Sequence, residues 1–125
     1  MATVQARSPG QLRPFTDAAR RDAVFQAISR FPLQKDPEWK KLAKRLQPTC
    51  IDGIDAVPEG VFETDSDRFS AVATVYVRWD DRIGDRDVSS VEGLPAEVSG
   101  HFEPGEGAPV AVVDQISVDA SSVLE

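Results

Sequence analysis

From Phe69 to Trp79 every second residue is apolar: Phe69, Ala71, Ala73, Val75, Val77 and Trp79, separated by Ser70, Val72, Thr74, Tyr76 and Arg78. A period of two sustained over that length predicts an extended strand, because successive side chains point to opposite faces. One face of it is wholly apolar and has to be covered by another layer. The other face is mixed. Val72 and Tyr76 are too hydrophobic to stand idle there, which predicts half-cover by a loop or a second subunit.

The covering layer lies upstream, where the period changes. Val24, Ala27, Ile28 and Phe31 follow the i, i+3, i+4, i+7 spacing of one helix face. That helix is expected to start near Thr16 or Asp17 as cap, with Phe15 as a hydrophobic staple, and to end at Pro32. Arg20 falls near the apolar stripe, and Phe25 lies off it, open to the leader or to a partner. The second helix is marked by Asp36-Pro37, a carboxylate cap followed by the ring whose missing N–H is not needed in a first turn. Pro48 closes it. Trp39, Leu42, Ala43 and Leu46 fall on one side, and Lys40, Lys41, Lys44 and Arg45 occupy the opposite arc.

Beyond Pro48 the pattern is that of strands and turns. Thr49 to Val57 is extended, Pro58-Glu59-Gly60 turns, and Val61 to Glu63 resumes before the polar cluster Thr64-Asp65-Ser66-Asp67. Residues 80 to 93 read as a charged loop. A last hairpin pairs Ala96 to Phe102 with Val110 to Val118 across Pro104-Gly105-Glu106-Gly107, and the alternation within 110 to 118 fits either register. These elements predict an α+β fold in which two N-terminal helices pack on one face of a curved, mainly antiparallel sheet of four or five strands. With 125 residues, 41% of them hydrophobic, the chain has enough apolar material for one core. The expected layout is a flexible leader over 1–13, a single domain over 14–119 and a tail over 120–125.

Charge is divided along the chain. Residues 1–46 hold ten basic and four acidic side chains, and residues 47–125 hold four basic and seventeen acidic ones. This sets a cationic helix on an anionic body and bears on partner choice more than on fold. The single cysteine, Cys50, allows no intramolecular disulfide or thiolate metal cluster, so a reducing, cytoplasmic setting is expected. No apolar run approaches the roughly 20 residues of a membrane span, and no insertion is expected.

Catalytic and metal-binding patterns fit poorly. Asp80, Asp81, Asp85 and Asp87 are hard oxygen ligands, but they lack the D-x-D-x-D-G order and closing glutamate of a calcium loop, and Arg82 and Arg86 neutralise them. Glu38 and Lys40 imitate the E-x-K half of a nuclease signature, yet on a helix they diverge by about 200°. Cys50 has no activating neighbour and is expected in the core. Glu97, Ser99 and His101 share a strand face, with backbone spacings of nearly 7 Å that strain a triad. Gly105 and Gly107 sit in a hairpin turn with no helix behind them to cradle phosphate.

The leading expectation is therefore a small non-catalytic protein-interaction module, a subunit or regulator of a larger assembly, that docks a protein through the basic second helix (Lys40, Lys41, Lys44 and Arg45) or through the acidic sheet half. It requires no cofactor and no metal. Nucleic acid is a less favoured partner for the same face. An acidic inhibitor or immunity-type protein covering a basic enzyme surface is a narrower version. The alternative is a pocket protein, with Phe62, Phe69, Trp79 and Phe102 lining a cavity for a small apolar ligand. The edge strand of the last hairpin offers a route to a homo-oligomer.

Overall fold

The computed structural model describes residues 12–64 and 67–124. Five strands form one open antiparallel sheet in sequential order: β1 (Arg13–Pro14), β2 (Cys50–Glu63), β3 (Arg68–Ile83), β4 (Arg86–Glu103) and β5 (Val110–Val118). Two helices, α1 (Ala18–Arg30) and α2 (Pro37–Leu46), precede the long strands, with a short 3₁₀ turn at Leu33–Lys35 between them. The arrangement is α+β.

Both helix starts are set by carboxylates. Asp17 Oδ1 accepts from the Ala19 amide at 2.9 Å, and Asp36 Oδ2 accepts from Glu38 and Trp39 at 3.1 and 3.2 Å. Each satisfies amides that have no partner within the helix. Helix α1 buries Val24 and Ile28 completely, and α2 buries Trp39 and Leu46. Full burial of one such aliphatic side chain contributes about 1.5–3 kcal/mol. Helix α1 approaches β2 and β5 more closely than the strands between them. The sheet therefore curves around α1.

The apolar face expected of β3 lies inward, with Phe69, Ala71, Ala73, Val75 and Val77 buried and Trp79 partly so. Leu94, Ala96, Val98 and Phe102 of β4 and Ile116 of β5 complete that layer. Arg20, near the apolar stripe of α1, has a partner there. Glu63 is turned inward with 8% exposure, its Oε1 lies 3.8 Å from Arg20 Nε, and the guanidinium sits 4.1 Å over the Phe102 ring. Phe25 is covered from its own helix by Arg21, whose guanidinium lies 4.8 Å from the ring centre and donates to Pro58 O at 3.2 Å.

Two single-residue bulges shape the outer face. In β5 the pairing steps from Ser99↔Gln115 to Gly100↔Val113, leaving Asp114 unpaired in the ladder. The inward set accordingly changes from Ala111 and Val113 to Ile116 and Val118. This phase change is why residues 110 to 118 fit two registers equally well as sequence. In β2 the step between Ile51 and Gly53 leaves out Asp52. A bulge re-aims the extra side chain, and here both are carboxylates that meet arginines of β3. Arg78 reaches Asp52 at 2.9 Å, and Arg68 reaches Asp114 at 3.3 Å.

Three expectations are corrected. Residues 80 to 93 are not a loop: β3 and β4 continue pairing to Ile83↔Arg86 across Gly84-Asp85. Gly84, at φ +65°, takes the first central position of the two-residue turn, as a type II′ hairpin requires. The segment after 119 is not a free tail. Asp119 Oδ1 accepts from Ser121 N at 3.0 Å, Ala120 is buried, and Val123 and Leu124 pack against the core. Cys50 is exposed rather than in the core. At the other end Arg13 already pairs with Glu63, while residues 1–11 of the expected leader, and Asp65 and Ser66 of the polar cluster, lie outside the described residues.

Candidate docking site at helix α2 and the β3–β4 ribbon

Lys40, Lys41, Lys44 and Arg45 are all exposed on the outward arc of α2. Trp39 and Leu46 hold the opposite arc in the core, so this face is presented in one fixed orientation. Lys41 lies 3.9 Å from Glu38, a solvent-exposed pair that contributes little. Among the described residues, Lys40, Lys44 and Arg45 form no ion pair. Lys44 and Arg45 also lie in the last turn, where the helix dipole favours cations.

The C-terminus of α2 is stitched to the sheet. The Trp79 indole Nε1 donates to Leu46 O at 2.9 Å, supplying a partner that a terminal helix carbonyl lacks. Gln47 ends the helix at φ 54°, its amide donating to Ala43 O at 2.7 Å. Thr49 then donates its amide to Arg78 O, and its Oγ1 accepts from Asp80 N at 2.8 Å. Past Asp80 the hairpin leaves the body, because β2 pairs with β3 only as far as Arg78 and β5 pairs with β4 only from Ala96. The three residue pairs from Asp81↔Val88 to Ile83↔Arg86 carry this two-stranded ribbon about 10 Å beyond Asp80.

Ribbon residues 80–92 carry five carboxylates, Asp80, Asp81, Asp85, Asp87 and Glu92, against Arg82 and Arg86. Asp87 is held by Arg82 at 3.0 Å and Asp80 by Ser89 at 2.5 Å. Pairing places Asp81, Ile83, Arg86 and Val88 on the helix side of the ribbon and Asp80, Arg82, Asp87 and Val91 on the other. Two clefts flank α2. One of about 260 Å³ lies against β5 and is lined by Trp39, Leu42, Ile116 and Val118 together with Glu38, Lys41 and Arg45. The second, of about 340 Å³, joins Arg45, Leu46 and Trp79 to Asp81 and Glu92 at the ribbon root.

The four aromatic residues expected around a pocket are not gathered. Phe69 and Phe102 pack edge to face with centroids 5.6 Å apart. Trp79 lies ten residues along β3 from Phe69, about 33 Å at strand rise. Phe62 pairs with Ser70 and so faces away from all three.

Reactive groups are restrained by their neighbours. His101 Nδ1 and Nε2 each lie 2.9 Å from a carboxylate, Asp114 and Glu103 respectively, which raises the imidazole above its ordinary pKa, the Asp114 contact contributing most. Both ring nitrogens are thereby engaged, and neither serves Ser99. The Cys50 thiol is raised above its usual value, first by partial loss of solvation and then by Asp52, which accepts from Sγ at 3.6 Å. A raised thiol is a poor nucleophile at neutral pH. Among the described residues no three His, Cys, Asp or Glu side chains come together as a metal site, and no helix is long and apolar enough to cross a membrane.

The fold and the site define a class: a two-layer α+β protein whose two opposite charge clusters, a basic helix and an acidic ribbon, sit at one end. For the particular protein, no family model matches the chain, and no curated protein or solved structure matches it either.

Proposed function

We propose that this protein is a small non-catalytic interaction module, an accessory or regulatory subunit of a cytoplasmic assembly, that docks an acidic protein surface on α2. The observation that carries the reading is the set of exposed cations Lys40, Lys44 and Arg45, which have no ion-pair partner among the described residues, on a helix fixed by its buried face. A fixed, uncompensated charge cluster steers an oppositely charged partner and sets its orientation. Protein is favoured over nucleic acid because Asp81 and Glu92 share a cleft with Arg45 and would repel a phosphate backbone. The single cysteine supports the reducing compartment.

Affinity capture from native lysate tests this, with the wild type beside a variant carrying Lys40→Glu, Lys41→Glu, Lys44→Glu and Arg45→Glu whose folding is verified by its thermal transition. The expected result is a protein retained by the wild type at about 0.05 M salt, released near 0.5 M and absent from the folded variant. Equal capture by both proteins would remove α2 as the docking surface. Displacement of the captured partner by duplex DNA would make nucleic acid the ligand.

A further inference from the structure

We propose that the acidic surface received by α2 is the β3–β4 ribbon of a second copy of this chain, and that the two copies exchange ribbons about one two-fold axis. The inference rests on the reading of α2 as a docking face and names its partner. Charge complementarity is the first argument. The ribbon has an excess of three carboxylates, and α2 has four cations against the single Glu38, an equal excess of opposite sign.

The apolar groups agree with the charges. Ile83 is 65% and Val88 41% exposed, and they are diagonal neighbours on the helix side of the ribbon, where Asp81 pairs with Val88, Arg86 pairs with Ile83 and Asp85 follows in the turn. The cleft between α2 and β5 has the converse character, lined by Trp39, Leu42, Ile116 and Val118 with the cations Lys41 and Arg45 and the single carboxylate Glu38. An apolar pair set among Asp81, Asp85 and Arg86 thus matches an apolar cleft bordered by Lys41, Arg45 and Glu38, each charge having an opposite across the contact. A two-stranded ribbon with both faces in water is marginal by itself, and docking covers its apolar side.

Position supplies the third argument. The Trp79 to Leu46 and Asp80 to Thr49 bonds hold the root of the ribbon against the C-terminal end of α2 and the turn that follows it. Because donor and receiver are adjacent, one two-fold axis at that end makes both contacts at once. Such an interface is self-complementary and closes at the dimer.

The test is the mass of the full-length chain by sedimentation equilibrium on the order of 100 µM, where even a contact of micromolar affinity is populated. A dimer at low salt that dissociates at high salt is expected. Lys41→Glu with Arg45→Glu and, separately, Asp81→Lys with Asp85→Lys should each give a monomer, and mixing the two variants should restore a dimer containing one of each. Ile83→Ser, an exposed substitution that spares the fold, should weaken the dimer roughly tenfold. A wild type that stays monomeric at low salt overturns the proposal, and if α2-dependent capture of another protein persists, the docking reading survives alone. A dimer insensitive to both charge variants overturns the self-docking contact, and equal capture by the α2 variant would separately remove that helix as a docking face.

Discussion

Replacing Gly100 by alanine should be among the most damaging small substitutions in this protein. A Cβ built there would lie 2.2 Å from Phe69 Cζ and 2.2 Å from the Val112 carbonyl oxygen. Phe69 is 2% exposed and packed edge to face on Phe102, so its ring has little room to retreat. The carbonyl belongs to β5 beside the Asp114 bulge and can move only with its strand. Overpacking of this kind costs about 1–3 kcal/mol. Two contacts, one of them to backbone, place Gly100→Ala near about 3 kcal/mol, a fall in Tm on the order of 10 °C for a domain of this size. Gly53→Ala is the matched control, since nothing lies within 4 Å of its added methyl. It should change stability by less than about 0.5 kcal/mol or raise it slightly. Phe69→Ala in the Gly100→Ala background should cost less than the sum of the two single changes, because removing the ring relieves one contact of the two. Urea denaturation of the wild type and the four variants measures this. Equal midpoints for the two glycine variants would refute the close-approach argument.

Stability should fall as pH rises through the folded-state pKa of His101. That pKa is raised above the ordinary 6.5 by Asp114 and Glu103, so the contribution is complete below about 6.5 and lost above the folded value. His101→Gln should flatten the urea midpoint between about pH 5 and about pH 9, and an unchanged slope would show that the cluster is not coupled to folding. Cys50 should react with a disulfide reagent at neutral pH more slowly than a small free thiol, and Asp52→Asn should speed it by removing the negative charge that helps hold the thiol up while leaving Arg78 beside it. Ile28→Ala, at a fully buried position of α1, should cost about 2–5 kcal/mol, and a loss under about 1 kcal/mol would mean that the helix packs more loosely than described.

The parts legible in the sequence were those where one local rule acts alone. Asp36-Pro37 set the start of α2 to the residue, and strict alternation from Phe69 to Trp79 assigned β3 and its inward face, because capping and the pleat need only near neighbours. The ribbon was obscured because both its faces meet water and no alternation survives, although Gly84-Asp85 is a recognisable hairpin turn. The register of β5 was hidden by Asp114, whose insertion reverses the pattern halfway. Arg20 looked misplaced on α1 because its partner, Glu63, is 43 residues away. Of the candidate site, the basic arc of α2 could be read directly, but its proximity to an acidic ribbon could not. That proximity depends on Trp79 reaching Leu46, a contact between distant segments.

The Asp114 bulge has a consequence for solubility. Strand β5 is an edge strand with the sequence Val-Ala-Val-Val-Asp-Gln-Ile-Ser-Val, the composition that templates cross-β stacking when it is flat and continuous. The bulge falls at its midpoint and divides it into two four-residue lengths, each shorter than the six or seven residues a steric zipper needs. The charge there is also held over the outer sheet face by His101 and Arg68, so a second sheet stacking on that face meets a fixed carboxylate. Asp114 acts in this respect as a gatekeeper. A variant with valine at that position would present nine consecutive residues with only Gln115 and Ser117 to interrupt them, and the protein would then be prone to fibril growth from its own sheet edge.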